Sequence, residues 1–417
     1  MVGMDKIKIL LKSRIDWTSR LIGTDMMYVV KNGFWVNANF VLSIFLGLTS
    51  SVLFANFVSK NVYGTYQFIL ALAGTIAVVV PNNMSSAVLR SVAQGHEGDF
   101  IAATKFQIRW GTIGSVIALG ASVWYALNQN LNLSWSLVVI ALFMPATYAL
   151  NTWSAYLQGK KDYQRFFYYS AFSSLISYGG VFVVIFIKPE YFWLALANIV
   201  AAFIANLCLY FFTLRQVPPN KKTDPETIRY GAHLSLMGIP QGLAGQLDAL
   251  LIFHFLGPTA LAIYSFATLL PEKLTGGLKF ISSIASPKFA EKSEADVSSF
   301  FKKKIWILIG FLAVIIGCYV IIVPQVFYWL FPKYLQSIPF TRLYALSFLS
   351  VAASVGQTAM VSQRKLRELY VLSLTAPFLK VALLVGLGYF FGVWGIIWAQ
   401  LIVILYQIGF PIFSFRK

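Results

Sequence analysis

Apolar stretches of about 20 to 25 residues recur along the chain, and few of them contain a charge. A hydrocarbon core about 30 Å thick is crossed by about 20 residues of helix, so each stretch is long enough to span a bilayer. Inside lipid every backbone amide must be paired, which leaves only helices and closed barrels. Barrel strands alternate over about ten residues, and these stretches are longer and continuously apolar, so all of them read as helices. Between charged and turn-rich breaks they fall near 33–57, 64–89, 108–127, 134–157, 167–187, 191–214, 231–256, 259–280, 305–324, 338–361, 369–390 and 393–414. The expectation is an all-α integral membrane protein of about twelve transmembrane helices. Composition agrees, because 58% of the 417 residues are hydrophobic and 12% charged, about half the ~25% charge of soluble domains. Twelve crossings occupy nearly the whole chain and leave no room for a soluble catalytic domain.

The net charge of +18 suggests nucleic-acid binding in a soluble protein, but its distribution argues otherwise. Twenty-seven basic residues lie at the two ends and in the even-numbered connections, against four in the odd-numbered ones: Lys60, Lys188, Lys333 and Arg342. Cytoplasmic loops carry the excess of Lys and Arg. The alternation therefore predicts both termini in the cytoplasm and no nucleic-acid partner. Residues 1–32 read as a cytoplasmic leader rather than a cleaved signal. Wound as a helix, 5–21 sets Ile7, Leu10, Leu11, Trp17 and Leu21 opposite Asp5, Lys8, Lys12, Asp16 and Arg20, the pattern of a helix lying on lipid. Cys208 and Cys318 fall within spans, so neither a disulfide framework nor a thiolate metal site is expected.

A Pro- and Lys-rich break at 215–229 divides the chain into six-helix lobes at 33–214 and 230–417. Shifting one lobe on the other by 198 residues superposes Phe57, Tyr66, Phe68 and Leu72 on Phe255, Tyr264, Phe266 and Leu270. An even number of spans per repeat relates the lobes by an axis along the membrane normal, as in transporters whose site lies between two halves. Alternating access is the mechanism to expect.

Polar residues at helical spacing mark faces turned away from lipid. Such stripes run through Asn39, Ser43 and Ser50; Thr147, Asn151, Ser154 and Gln158; Gly238, Gln241 and Asp248; Ser265, Thr268, Glu272 and Thr275; and Ser347, Ser350, Ser354 and Gln357. They read either as helix-to-helix glue or as the lining of a wet cavity. Ionisable groups inside the spans are few, and each costs about 2.5 to 3.5 kcal/mol at a helix centre. Lys380 sits mid-span; Asp248, Glu272 and Lys273 lie in spans seven and eight. Lys380 reads either as the partner of Asp248 in a buried ion pair or as the cation that attracts an anionic substrate. Pro81, Pro145, Pro240, Pro271 and Pro377 interrupt spans and free backbone groups for hinges. No phosphate loop, His-Glu-x-x-His helix or Gly-x-Ser-x-Gly elbow is present, so no enzyme activity, cofactor or bound metal is expected.

Several short motifs carry a resemblance. They are Val62-Tyr63-Gly64-Thr65-Tyr66, Ala87-Val88-Leu89-Arg90, Asp248 with Leu256-Gly257 and Ile263-Tyr264-Ser265, and Ile284-Ala285-Ser286-Pro287. Together with the twelve-span layout, the chain resembles the Wzx-type O-antigen and polysaccharide flippases of the multidrug/oligosaccharidyl-lipid/polysaccharide (MOP) exporter superfamily, which includes the MATE transporters. It departs from the family look at Ile263 and Ala249. The resemblance implies a multi-pass protein of the bacterial inner membrane that moves a polyprenyl-pyrophosphate-linked oligosaccharide, such as an O-antigen unit of lipopolysaccharide, outward. Its partners would be this lipid-linked glycan, membrane lipids, and the polysaccharide polymerase and glycosyltransferases. On this reading Asn39, Asn151, Gln241 and Gln357 hold the glycan, and Lys380 with Arg90 or Lys31 engages the pyrophosphate. Asp248 or Glu272 couples to H+ or Na+, or gates. The alternative is a MATE-type ion-coupled drug or metabolite antiporter, which should show an acidic cavity. A membrane-embedded glycan polymerase or ligase would need a large outer loop that the sequence lacks.

Overall fold

The computed structural model describes residues 26–279, 289, 294–363 and 365–415. The leader helix read over 5–21 and the motif 284–287 lie outside these residues. The described chain is helical from end to end: α1 (Met26–Phe57), α2 (Lys60–Ala77), α3 (Met84–Ala93), α4 (Asp99–Leu127), α5 (Leu131–Leu150), α6 (Thr152–Gly159), α7 (Tyr163–Ile187) and α8 (Tyr191–Gln216). After a non-helical stretch follow α9 (Pro225–Leu256), α10 (Pro258–Leu278), α11 (Glu294–Leu330), α12 (Ile338–Tyr344), α13 (Ser350–Ser362) and α14 (Leu366–Ser414), with 3-10 turns at Pro332–Ser337 and Ala345–Leu349 flanking α12.

Nine helical runs among the described residues are long and apolar enough to cross a membrane. The last, Arg367–Ser414, is two crossings. Gly392 inside α14 takes φ 57°, ψ −133°, which only glycine adopts without strain. Thr375 and Tyr406 hydroxyls meet at 2.7 Å and Lys365 Nζ donates to Ser414 O at 2.9 Å. These pairs lie symmetrically about Gly392, so α14 folds back as an antiparallel hairpin. The α2–α3 pair and α10 supply the other two crossings, giving the twelve read from the sequence.

Helix ends follow local chemistry. Asp224 caps α9 by accepting from Glu226 N, with Pro225 in the first turn, where its missing N–H costs nothing. Asn130 and Asp162 cap α5 and α7 in the same way. Span two, read as one helix, breaks at Pro81. The freed carbonyls are repaired by side chains: Asn82 Nδ2 donates to Ala77 O at 3.0 Å and Gln107 Nε2 to Pro81 O at 2.8 Å. Span ten is also segmented, as the 3-10 turns, α12 and α13.

The first group packs α4 on α5, α5 on α8, α8 on α7 and α7 on α1; in the second, α9 and α13 pack on α14 and α10 on α12. The two groups meet where α2 and α3 lie against α9 and α10. Near the chain's mid-point this seam is tight. A Cβ on Gly231 would stand 2.4 Å from Met84 Sδ, Asn83 Nδ2 donates to Leu234 O at 3.0 Å, and Arg90 sits 5.4 Å over the Tyr230 ring. The intervening stretch is strapped to the first group. Gly98 N donates to Lys222 O at 2.9 Å, Asp224 N donates to both carboxylate oxygens of buried Asp99 at 3.2 and 3.1 Å, and Ser91 donates to Asp99 as well. This end of the bundle is the linker face, and the opposite end the far face.

Candidate functional site

At the far face the two groups are sealed by aromatic rings. Tyr63 of α2 lies 5.1 Å from Phe266 of α10, which stacks on Tyr334 at 3.8 Å, with Phe54 and Phe331 closing the cluster. All five are buried. Above them, Lys333 Nζ donates to Asn56 O at 2.6 Å and Lys60 Nζ to Gln336 Oε1 at 3.3 Å. The helices touch backbone to backbone here, since a Cβ on Gly64 would stand 1.8 Å from Pro258 O.

Beneath the seal lies a cavity of about 380 Å³ in the first group. Ser50 and Ser51 of α1, Gln67 of α2, Ser173, Ser174, Ser177 and Tyr178 of α7 and Asn198 of α8 line it with hydroxyls and amides. Phe54, Tyr63 and Tyr66 give it aromatic walls. One cation enters from the other group. Lys273 of α10 lines the cavity, and a Cβ on Gly47 would lie 3.4 Å from its Nζ and 3.5 Å from Tyr178 Oη.

A second cavity, about 440 Å³, lies nearer the linker face inside the second group. Gln241 of α9, Ser350, Ser354 and Gln357 of α13, and Ser373 and Gln407 of α14 line it, with Lys279 at the end of α10. Among the described residues no carboxylate lines either cavity.

The two intramembrane acids are tied into one hydrogen-bonded network. Tyr264 donates to Asp248 Oδ2 at 2.6 Å, and Gln400 Nε2 donates to the same oxygen at 2.8 Å and to the Tyr264 hydroxyl. The Tyr344 hydroxyl donates to Gln400 Oε1 at 2.8 Å and lies 3.4 Å from Glu272 Oε1. Tyr264 and Tyr344 are buried, Asp248 is half-buried, and Glu272 keeps an exposed face. The network ties α9, α10, α12 and α14 to one another through Asp248, Tyr264, Glu272, Tyr344 and Gln400.

The residues expected from the sequence distribute unevenly. Gln241 and Gln357 share the second cavity, and Asp248 and Glu272 share the network. Lys380 is half-buried in α14 beside that network, and among the described residues it forms no ion pair with Asp248. Arg90 ends α3 at the linker-face seam. Lys31 lies in α1 near its linker-face end. Asn39 is half-buried in α1, and Asn151 is exposed at the α5–α6 break; neither lines the two cavities. The stripe at Thr147, Ser154 and Gln158 bonds to its own helical backbone, which is neither helix-to-helix glue nor the lining of either cavity. Reasoning from sequence passed over Lys273 as a site residue, Gln400, Tyr344 and the serines of α7. The spacing of Ser173, Ser174 and Ser177 was a readable polar face; Gln400 and Tyr344 are single polar residues whose meeting only the fold reveals.

A family profile described as a polysaccharide biosynthesis protein matches residues 53–305. The chain belongs to that family. The matched region includes Phe54, Tyr63 and Phe266 of the seal, Lys273 and both intramembrane acids. No curated protein sequence matches it. Among solved structures it is similar to an outward-facing multidrug resistance MATE family transporter of the MOP superfamily, at 13% identity over 93% of this chain and 95% of that one, TM-score 0.60. It is similar also to the lipid II flippase MurJ in an inward closed conformation (14% identity, 92% and 87% covered, TM-score 0.64). A third is the MATE multidrug transporter DinF-BH (13% identity, 92% and 94% covered, TM-score 0.63). The fold is that of these MOP-superfamily structures, and the apolar helices make the chain a multi-pass membrane protein.

Proposed function

We propose that this transporter flips a polyprenyl-pyrophosphate-linked oligosaccharide from the cytoplasmic to the periplasmic leaflet of a bacterial inner membrane by alternating access. The observation that carries the reading is the pair of hydroxyl- and amide-lined cavities with Lys273 projecting into one of them. A sugar hydroxyl stripped of water into hydrocarbon costs a few kcal/mol and a pyrophosphate far more. Polar cavities remove that barrier while the lipid tail stays in the bilayer. On the distribution of basic residues the linker face is cytoplasmic, and the sealed far face is then periplasmic.

In this mechanism the serines and amides replace water around the glycan, and Lys273 faces the pyrophosphate. Cation uptake at the Asp248–Tyr264–Gln400–Tyr344–Glu272 network, as H+ or Na+, is the event that parts α2 from α10 and opens the seal. Lys380 acts on this network through Glu272. A MATE-type antiporter of cationic drugs is the second reading, favoured by the fold alone; cavity linings made of hydroxyls, amides and lysines weigh against it. Depletion in the native host tests the choice. Lipid-linked glycan should accumulate on the cytoplasmic leaflet, and unchanged surface polysaccharide with altered drug sensitivity would overturn the flippase reading.

A further inference from the structure

The two cavities differ in chemistry and in depth. Phe54, Tyr63, Tyr66 and Tyr178 give the first-group cavity aromatic faces, whereas among the described residues no aromatic side chain lines the second-group cavity. Aromatic rings present the apolar faces on which the C–H side of a sugar packs. The second cavity instead offers three side-chain amides, Gln241, Gln357 and Gln407. Each amide both donates and accepts, and so matches hydroxyl and acetamido groups without a fixed orientation. Lys273 marks the first cavity and Lys279 the edge of the second. They are six residues apart on α10, about 9 Å along the axis, which places the first cavity deeper and the second nearer the linker face. Each volume lies in the range of about 300 to 1,000 Å³ that holds one small ligand, so neither is sized for a long glycan together with its pyrophosphate.

We infer that the cavities are two subsites of one elongated site: the first takes the pyrophosphate and the sugar attached to it, and the second takes the distal sugars and sets which repeat-unit lengths are carried. The inference rests on the flippase reading. With the pyrophosphate at Lys273 in mid-membrane, the glycan extends back toward the linker face, where the amides of α9, α13 and α14 meet it. The substrate class is a lipid-linked glycan of more than one sugar, recognised at its far end by hydrogen bonding rather than by stacking or charge.

The test compares two probes in proteoliposomes: polyprenyl pyrophosphate carrying a single N-acetylhexosamine, and the same lipid carrying a complete repeat unit. Flipping is read by access of a membrane-impermeant oxidant to the sugar. Ser373→Trp fills the second cavity from an exposed position, and Gln407→Ala removes an amide without adding bulk, so a folding failure of the first variant leaves the second to decide. Both should lower the ratio of long-probe to short-probe flipping at least about tenfold, whereas Ser177→Trp in the first cavity should lower flipping of both probes together. An unchanged ratio in both second-cavity variants overturns the subsite assignment while the flippase reading stands. If the unaltered protein moves neither probe, the flippase reading itself fails, and the assignment with it.

Discussion

The two groups of helices differ in where charge is placed. At the 198-residue shift, Tyr66 corresponds to Tyr264, Ser50 to Asp248, Gly74 to Glu272 and Thr75 to Lys273. Both tyrosines are buried, but Tyr264 serves a carboxylate, while Tyr66 stacks at 5.1 Å on Phe54 beside the first cavity. Gly74 is where α2 meets the other lobe closely, since a Cβ there would stand 2.8 Å from Gln246 Nε2. The first lobe thus offers a neutral surface for a polar ligand, and the second carries the ionisable groups, including the lysine that crosses into the first. On the proposed function, coupling belongs to the second group and glycan recognition to both, so a ligand gripped by both can feel a change made in one.

The largest effect should come from removing charge in the second lobe. Asp248→Asn keeps the shape and deletes the carboxylate, and is expected to reduce gradient-driven transport at least about 100-fold, or ~2.7 kcal/mol of barrier. Ser50→Ala, at the corresponding place, should weaken glycan affinity and leave the ion dependence intact. Transport measured with and without an imposed H+ or Na+ gradient decides. Equal loss of ion dependence in both variants would break the proposed division of labour.

Next is the contact between lobes. At Gly64 a side chain meets the Pro258 carbonyl, a backbone group that cannot turn aside. Overpacking costs about 1 to 3 kcal/mol, so Gly64→Val should deplete the sealed conformation about 10- to 100-fold. Thiol labelling of a Gln67→Cys reporter from the far face should rise accordingly. The repeat-equivalent Ala262→Gly costs only the ~1 kcal/mol helix propensity of glycine; a seal lost equally in both would show that close approach at Gly64 is not what closes it.

The lysines sharpen the same contrast at a smaller scale. A charge-assisted hydrogen bond contributes about 1.5 to 3 kcal/mol, so Lys273→Ala should raise the KM for lipid-linked glycan about tenfold. Lys380→Ala should instead shift the ion concentration needed for half-maximal transport and leave glycan KM nearly unchanged. A KM effect at Lys380 with none at Lys273 would return the pyrophosphate role to the mid-span lysine expected from sequence.

How much of this was legible beforehand depends on the range of the interaction. The twelve crossings followed from hydropathy and spacing, which act locally along the chain. The stripe at Ser350, Ser354 and Gln357 was readable because one helix carries all three to the same cavity. Lys380 attracted attention by its depth in a span, yet depth does not say which way a side chain points, and Lys273, nearer a helix end, is the lysine that reaches the cavity. Gln400 and Tyr344 link Asp248 to Glu272 only because α10, α12 and α14 converge, and no spacing in one helix encodes that. Pro81 announced a break, but its repair by Gln107 of α4 depends on packing between helices 26 residues apart.

The smallest effect belongs to the strap on the first group. Glu97 accepts from Lys160 Nζ at 2.7 Å, from Asn220 N at 3.1 Å and from the Tyr156 hydroxyl at 3.3 Å. Burial pushes its carboxyl up, but the Lys160 and Asn220 hydrogen bonds and the Lys160 charge outweigh it, so the group ionises below the ordinary 4.5. A folded value below the unfolded one means that the stabilisation is fully present above about pH 4.5 and is lost as pH falls through the lower folded value. Glu97→Gln should therefore unfold earlier than the unaltered protein at about pH 7, by no more than about 1 kcal/mol for a partly solvated pair. The gap should narrow in acid, as pH falls through the lower folded value and Glu97 becomes protonated in both states. Thermal unfolding in detergent at neutral and acid pH measures it, and a gap that persists in acid would mean that Glu97 holds the linker by shape rather than by charge, leaving Asp99 and its bond to Asp224 N as the electrostatic tie of the strap.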